Sequence, residues 1–338
     1  MASGSDAAVP LHQQQLALDI FKNAFSTHFN ESLKEVIQEV KGRLYELDWD
    51  TAFGNERYLE AYALRWSPSR ALHYIELFRR LSQHVDQKSL SRMPLRLNGR
   101  TTSFVYNVTC FGGGAGAEIV GLAGMMNCFR RSEDSLGKNQ IDRCAIKLVD
   151  RADWSNVVQA LERSLVNPPP LSNYASTAAK AKNTAFIPRD TFELSFHQQN
   201  LLDLSPTQLK PLLDNVDLVT LMFTLNELYT DSVPRTTELL LTLNTIMKKG
   251  ALLLVVGSAD DQRCSTVSIG KNKKPYPVQW LLDHTLRETA QNVSSNGEIG
   301  KWQQVTGYDS QWLRLSSELM YPIALEDMRH QMRLYRLV

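Results

Sequence analysis

The sequence predicts an α/β fold: a doubly wound, mostly parallel sheet preceded by an all-helical region. Three observations carry this. From Phe104 onward, short β-prone apolar runs alternate with helix-like stretches, the pattern of parallel strands joined by crossover helices. Between Tyr106 and Glu118 an apolar run enters a glycine cluster, and a helix-like stretch from Ile119 to Met126 leaves it. Ahead of that, up to about residue 95, apolar residues recur only at helical spacing.

Residues 1–10 are small and polar and are expected to be a disordered tail. Leu16, Leu18, Ile20, Phe21 and Phe25, then Leu33, Val36, Ile37, Val40 and Leu44, predict two helices that break near Asn30. Asp50 to Gly54 reads as a turn and Arg57 to Leu64 as a further helical stretch. Ser67-Pro68-Ser69 opens another helix with proline in its first turn, continuing through Tyr74, Leu77 and Leu81. Strands are expected at Phe104–Cys110, Cys144–Asp150, Thr191–His197, Leu218–Phe223 and Ala251–Gly257. Helices are expected between them at Glu118–Arg130, Trp154–Leu165, Pro206–Asp214 and Pro234–Lys248. Arg130–Arg143 is a polar insert, and Asn167–Lys182, with three consecutive prolines, is a loop or weak helix. Residues 258–278 form a basic loop carrying Lys271, Lys273 and Lys274, and Glu318–Pro322 and Gln331–Val338 are strand-like. The organisation expected is a tail (1–10), a helical region over the active site (11–98) and an α/β domain (99–338).

Lys and Arg number 37 against 36 Asp and Glu, so no global field draws in nucleic acid, and binding to it requires a local basic patch. Cys110, Cys128, Cys144 and Cys264 are too scattered for zinc, and two fall in apolar strand-like runs, so they read as structural. No metal and no membrane partner are expected. No stretch is long enough to span a bilayer and the first residues lack a signal pattern, so a soluble, intracellular protein is expected.

Gly112, Gly114 and Gly116 are spaced by two in a strand-to-helix turn. Glycine there permits positive φ and lets a ligand lie against bare backbone, with helix amides facing its polar groups. Asp150 closes the second strand and either accepts hydrogen bonds from a ribose diol or, like Asp153, caps the helix at Trp154. Asn200 with Leu201 could hold an adenine amino group and flank the ring; the alternative is a capped loop around Asp203 and Ser205. His197 reads as packed or surface. Asn226 and Glu227 leave the fourth strand where a reacting group would sit, or else simply begin a helix. Tyr62, Arg65, Trp66, Ser67 and Arg70 form a dense aromatic and basic cluster, suited to a carboxylate or phosphate and a stacked base, or to a capped helix start.

A glycine turn, a ribose-type acid and a carboxamide at the fourth strand resemble the class I S-adenosylmethionine-dependent methyltransferases, a Rossmann-like fold with a seven-stranded sheet. Two strands after the fifth suit that sheet better than a dehydrogenase. The acidic place that opens the usual glycine motif is Cys110 here. In finer detail the chain resembles the fungal 25S ribosomal RNA (uridine-N3) methyltransferases. The residues carrying this are Glu39 to Tyr45, Ala52-Phe53-Gly54, Ala61-Tyr62, Arg65 to Leu72, Cys110 to Glu118, Met222 to Leu228 and Gln279 to Asp283. The resemblance implies S-adenosyl-L-methionine held by Gly112, Gly113, Gly114, Gly116, Asp150, Asn200, Leu201 and Phe223. Asn226, Glu227 and Tyr62 would be catalytic, and Arg65, Trp66, Ser67 and Arg70 would bind the substrate. Ribosomal RNA as acceptor implies a nucleolar or nuclear enzyme in rRNA processing. A divergent methyltransferase of small metabolites in the cytoplasm is the alternative, and Cys110 motivates a third, a catalytically idle interaction module.

Overall fold

The computed structural model describes residues 8–88, 90–93, 103–131, 141–259, 266–269, 274–289 and 301–338. The polar insert at 132–140, Cys264, Lys271, Lys273 and residues 1–7 lie outside the described residues. A short strand β1 (Ser91–Met93) pairs antiparallel with the start of β2 (Ser103–Phe111). Next come β3 (Arg143–Asp150), β4 (Phe192–Gln198), β5 (Leu218–Met222) and β6 (Leu252–Ser258), close to the expected bounds. These pair in parallel in the order β4-β3-β2-β5-β6. A separate hairpin pairs β7 (Thr266–Ile269) with β8 (Lys274–Pro277). The main sheet ends with β9 (Trp302–Leu313) and β10 (Met328–Leu337); β10 lies antiparallel between β6 and β9, giving seven strands on the main path and β1 beside it.

All five residues of β5 are buried, as a central parallel strand requires. Alternation splits the strands between two cores. Leu218, Met222, Leu252 and Leu254 join one, while Val219, Leu221, Leu253 and Val255 join the other. The strand order reverses between β3 and β5 on either side of β2, which leaves a crevice at the carboxyl edge where such sheets bind ligands.

Of five N-terminal helices, α1 (Leu11–Ala24), α2 (Leu33–Tyr45), α3 (Trp49–Ala52), α4 (Glu56–Arg65) and α5 (Ser67–Leu81), all but the short α3 share the first core with the sheet. Asp48 and Asn55 start α3 and α4 by accepting the N–H groups of Thr51 at 3.2 Å and Tyr58 at 3.0 Å. α6 (Ala117–Arg131) lies against α5, with Gly121 and Gly124 leaving room for Tyr74 and Ile75. The remaining helices are α7 (Ser155–Val166), α8 (Thr177–Lys182), α9 (Pro206–Leu213), α10 (Leu225–Asp231), α11 (Val233–Ile246) and α12 (Val278–Asp283). Among the described residues, no helix is long and apolar enough to cross a membrane.

At the C-terminal end one expectation fails and one strand was not expected. Glu318–Pro322 is not a strand: Met320 exchanges two hydrogen bonds of 2.9 Å with the Gln15 side chain, and the Tyr321 hydroxyl donates to the Leu64 carbonyl at 3.2 Å. Its apolar residues serve the N-terminal helices instead. The strand beside β10 is β9, rich in Gln, Thr and Asp. It lies at the sheet edge with most side chains partly or fully exposed, so it carries no apolar run to read.

Candidate active site

At the end of β2 the chain turns through Gly112 (φ 80°) and Gly116 (φ 88°), left-handed conformations that favour glycine, and enters α6. A Cβ added at each of these glycines would meet protein. It would lie 2.2 Å from Thr224 Oγ1 at Gly112, 2.8 Å from Cys110 Cβ at Gly113, 2.0 Å from Trp154 Cδ1 at Gly114 and 2.1 Å from Leu161 Cδ1 at Gly116. The turn is thus clamped between the segment after β5, the end of β2 and the start of the α7 region.

Asp150 ends β3 and does not cap α7. Its carboxylate accepts the N–H groups of Gly114 at 3.1 Å and Ala152 at 3.2 Å, while Asp153 receives the Ser155 N–H at 3.1 Å. Burial pushes Asp150 up to about 6, against the pull of the Gly114 N–H. Asn200 does cap a turn, accepting the Leu202 N–H at 3.2 Å, and faces the same cavity.

After β5, Phe223 takes a positive φ of 63°, a strained conformation for a bulky residue. α10 then begins, with Glu227 in its first turn. Glu227 is pushed up to about 8, first by burial and then by the nearby Asp150 charge, with Arg70 pulling the other way.

The N-terminal helices close the crevice. Ser67 Oγ donates to the Ala115 carbonyl at 2.7 Å, tying the start of α5 to the glycine turn. Arg70 Nη1 donates to the Tyr62 hydroxyl at 2.7 Å, and its guanidinium lies 4.7 Å from the Phe223 ring centre. The rings of Phe53, Tyr62 and Trp154 stand 5.2–5.8 Å apart.

Together these segments line a cavity of about 660 Å³. Gly112, Asp150, Asn200, Leu201, Phe223, Glu227, Tyr62, Ser67 and Arg70 lie in its wall. Gly113, Gly114, Gly116, Asn226, Arg65 and Trp66 do not. Arg65 donates to the Ala324 carbonyl at 3.2 Å and pairs with Glu326, so its charge is spent on the C-terminal segment. Trp66 packs on Tyr62 at 4.9 Å. Cys110 is fully buried, with its thiol pushed well up by burial. Glu118, Phe53 and Trp154 complete the wall but were not singled out from the sequence as site residues. Glu118 carried the one legible signal, an acid directly after the glycines.

Eight carboxyl side chains face this cavity against two guanidiniums, which suits a cationic ligand. The volume lies within the usual range of about 300–1,000 Å³ for small-ligand sites. One carboxylate oxygen, Glu118 Oε1, is buried with no partner. The residues present therefore fit a sulfonium nucleoside with an amino-acid head.

A sheet of this order, with a glycine turn at its reversal point and an acidic cavity above it, defines a class I S-adenosylmethionine-dependent methyltransferase. The chain belongs to the family described as "Putative SAM-dependent methyltransferase", which it matches over residues 21–336. It is 32% identical over 351 aligned positions to the 25S rRNA (uridine(2843)-N(3))-methyltransferase of Saccharomyces cerevisiae, covering 97% of this chain and 88% of that protein. Among solved structures, an O-methyltransferase family protein of Burkholderia thailandensis is 12% identical, covering 90% of this chain and 70% of its own, with a TM-score of 0.40. A SAM-dependent methyltransferase of Methanosarcina mazei is 8% identical, covering 68% and 91%, with a TM-score of 0.35.

Proposed function

We propose that this enzyme methylates N3 of a uridine in large-subunit ribosomal RNA. The reading draws its substrate from the yeast relative, and one feature of the site carries it: Glu227 in the cavity wall beside Phe223 and Thr224. Uracil N3 bears a proton that must leave as the nitrogen takes the methyl. S-adenosylmethionine, when bound, supplies an electrophilic methyl on a cationic sulfur. Asp150 would accept its ribose hydroxyls, Asn200 and Leu201 would hold its adenine, and Gly112 would give it backbone. Glu227, pushed up to about 8 by burial, would be favoured in its ionised form beside a cation and could then take the N3 proton. Tyr62, fixed by Arg70, orients the base edge.

The acidic wall repels phosphate, so the uridine enters as an extruded base with its backbone outside. A stack of Tyr276, the half-exposed Trp280 and His284, with centroids 5.3 and 5.0 Å apart, offers an outer surface for a neighbouring base. Region 11–98 acts as the cover of the site, and the site of action is nucleolar or nuclear.

The test is transfer of labelled methyl to unmodified large-subunit rRNA, followed by nucleoside mass spectrometry. N3-methyluridine that disappears in Glu227→Gln is expected; label on another atom sinks the reading. The same acidic wall favours a small cationic acceptor as second reading, and label confined to the metabolite fraction would select it.

A further inference from the structure

Glu118 is 4% exposed, lines the cavity, and leaves Oε1 without a hydrogen-bond partner. A buried, unpartnered carboxyl oxygen destabilises the fold, so its place beside a ligand cavity calls for a reason. Its neighbours do not supply one. The Gly113 backbone packs beside it, with an ideal Cβ there only 3.5 Å from Glu118 Cδ. Cys110, next to last in the strand beneath, is buried and neutral. Across the cavity, Arg70 comes close enough for its charge to favour the ionised form of Glu118, yet its hydrogen bond goes to Tyr62. An acid with an unpartnered oxygen and an arginine whose charge reaches it thus line one cavity from two different helices. That pair is complementary to a zwitterion.

We propose that Glu118 and Arg70 hold the α-amino-acid head of the methyl donor, Glu118 accepting from its ammonium and Arg70 donating to its carboxylate. This rests on the cofactor of the family and not on the choice of RNA as acceptor. It moves head recognition from the strand end, where Cys110 offers no charge, to the first turn of α6. It also moves Arg70 from substrate to cofactor, so that a helix of the N-terminal region contributes directly to cofactor binding.

Calorimetric titration of the full chain with three ligands tests this without turnover: S-adenosylhomocysteine, its decarboxylated analogue, and 5′-methylthioadenosine, which lacks the amino-acid head. Glu118→Gln should weaken the first two about tenfold or more and leave 5′-methylthioadenosine within about twofold. Arg70→Gln should weaken S-adenosylhomocysteine alone. Should Glu118→Gln fail to fold by circular dichroism, Glu118→Asp, which retracts the carboxylate by one methylene, carries the same expectation. Equal losses for all three ligands, or unchanged S-adenosylhomocysteine binding in a folded variant, overturn the proposal. Absence of binding of every ligand to the wild-type chain would count against the methyltransferase itself. Because no RNA is used, the proposed acceptor is untouched by either outcome.

Discussion

Gly114→Ala adds one methyl at the point where the glycine turn meets Trp154. The new Cβ would stand 2.0 Å from Trp154 Cδ1 and 2.3 Å from Cγ, where ordinary contact begins near 3.4 Å. Trp154 is 2% exposed and boxed by Phe53 at 5.7 Å and Tyr62 at 5.8 Å, so the indole cannot retreat without moving both rings. Overpacking of this kind costs about 1–3 kcal/mol, and we expect about 2 here. All three rings wall the cavity, so affinity for S-adenosylhomocysteine should also fall more than about tenfold, or about 1.4 kcal/mol. Urea melts followed by tryptophan fluorescence, run beside calorimetric titrations, measure both. The decisive comparison adds Trp154→Ala. With the indole gone the methyl has room, and Gly114→Ala should then cost less than about 0.5 kcal/mol. An equal cost in both backgrounds would refute Trp154 as the reason for glycine. Affinity lost with stability intact in both would restore the sequence expectation, in which the ligand itself lies on bare backbone at Gly114.

Glu227→Gln should slow single-turnover methyl transfer by about 10²-fold with cofactor affinity nearly unchanged, as loss of a proton acceptor does. Asn226→Ala, whose side chain lies outside the cavity wall, should lower Tm and leave the rate within about threefold. Arg65→Ala should change neither cofactor nor RNA affinity, since it removes an ion pair with the half-exposed Glu326, worth about 0–1 kcal/mol in stability. Glu118 and Glu227 sit near 8 in the folded chain against an ordinary 4.5. Below about 4.5 both states hold these protons; between there and about 8 only the folded state does, so its advantage is lost as pH rises. Burial holds His73 at about 3 and His330 at about 4, which works the other way below about 6.5. Thermal melts of the ligand-free protein should therefore fall between about pH 6.5 and 8, and Glu118→Gln should flatten that slope.

The parallel core was legible because its signals are local. The buried run of β5 and the turn at Gly112–Gly116 each announce themselves within a few residues. The polar edge strand β9 was not, because its place depends on pairing with β10 and not on its own side chains. The site divided along the same line. Asp150 ends a strand and Glu227 opens the helix that follows one, where topology alone puts them at the cavity. Arg65 and Arg70 are equally basic in sequence and five residues apart, yet one meets Glu326 and the other Tyr62, a difference made by a segment far down the chain. Glu118 was passed over because its meaning lies in burial without a partner, which no spacing reveals.

The fastening of the first helices by residues 320–326 has a consequence for the order in which the protein is made. Arg65 and Glu326 are 261 residues apart, and Gln15 and Met320 are 305 apart. At about 5–20 residues per second, the helices that cover the cofactor wait on the order of 15–50 s for the segment that seats them. Until translation has passed Glu326 the cover is held only by its contacts to α6 and the glycine turn, and its second fastening is the last part of the site to be made.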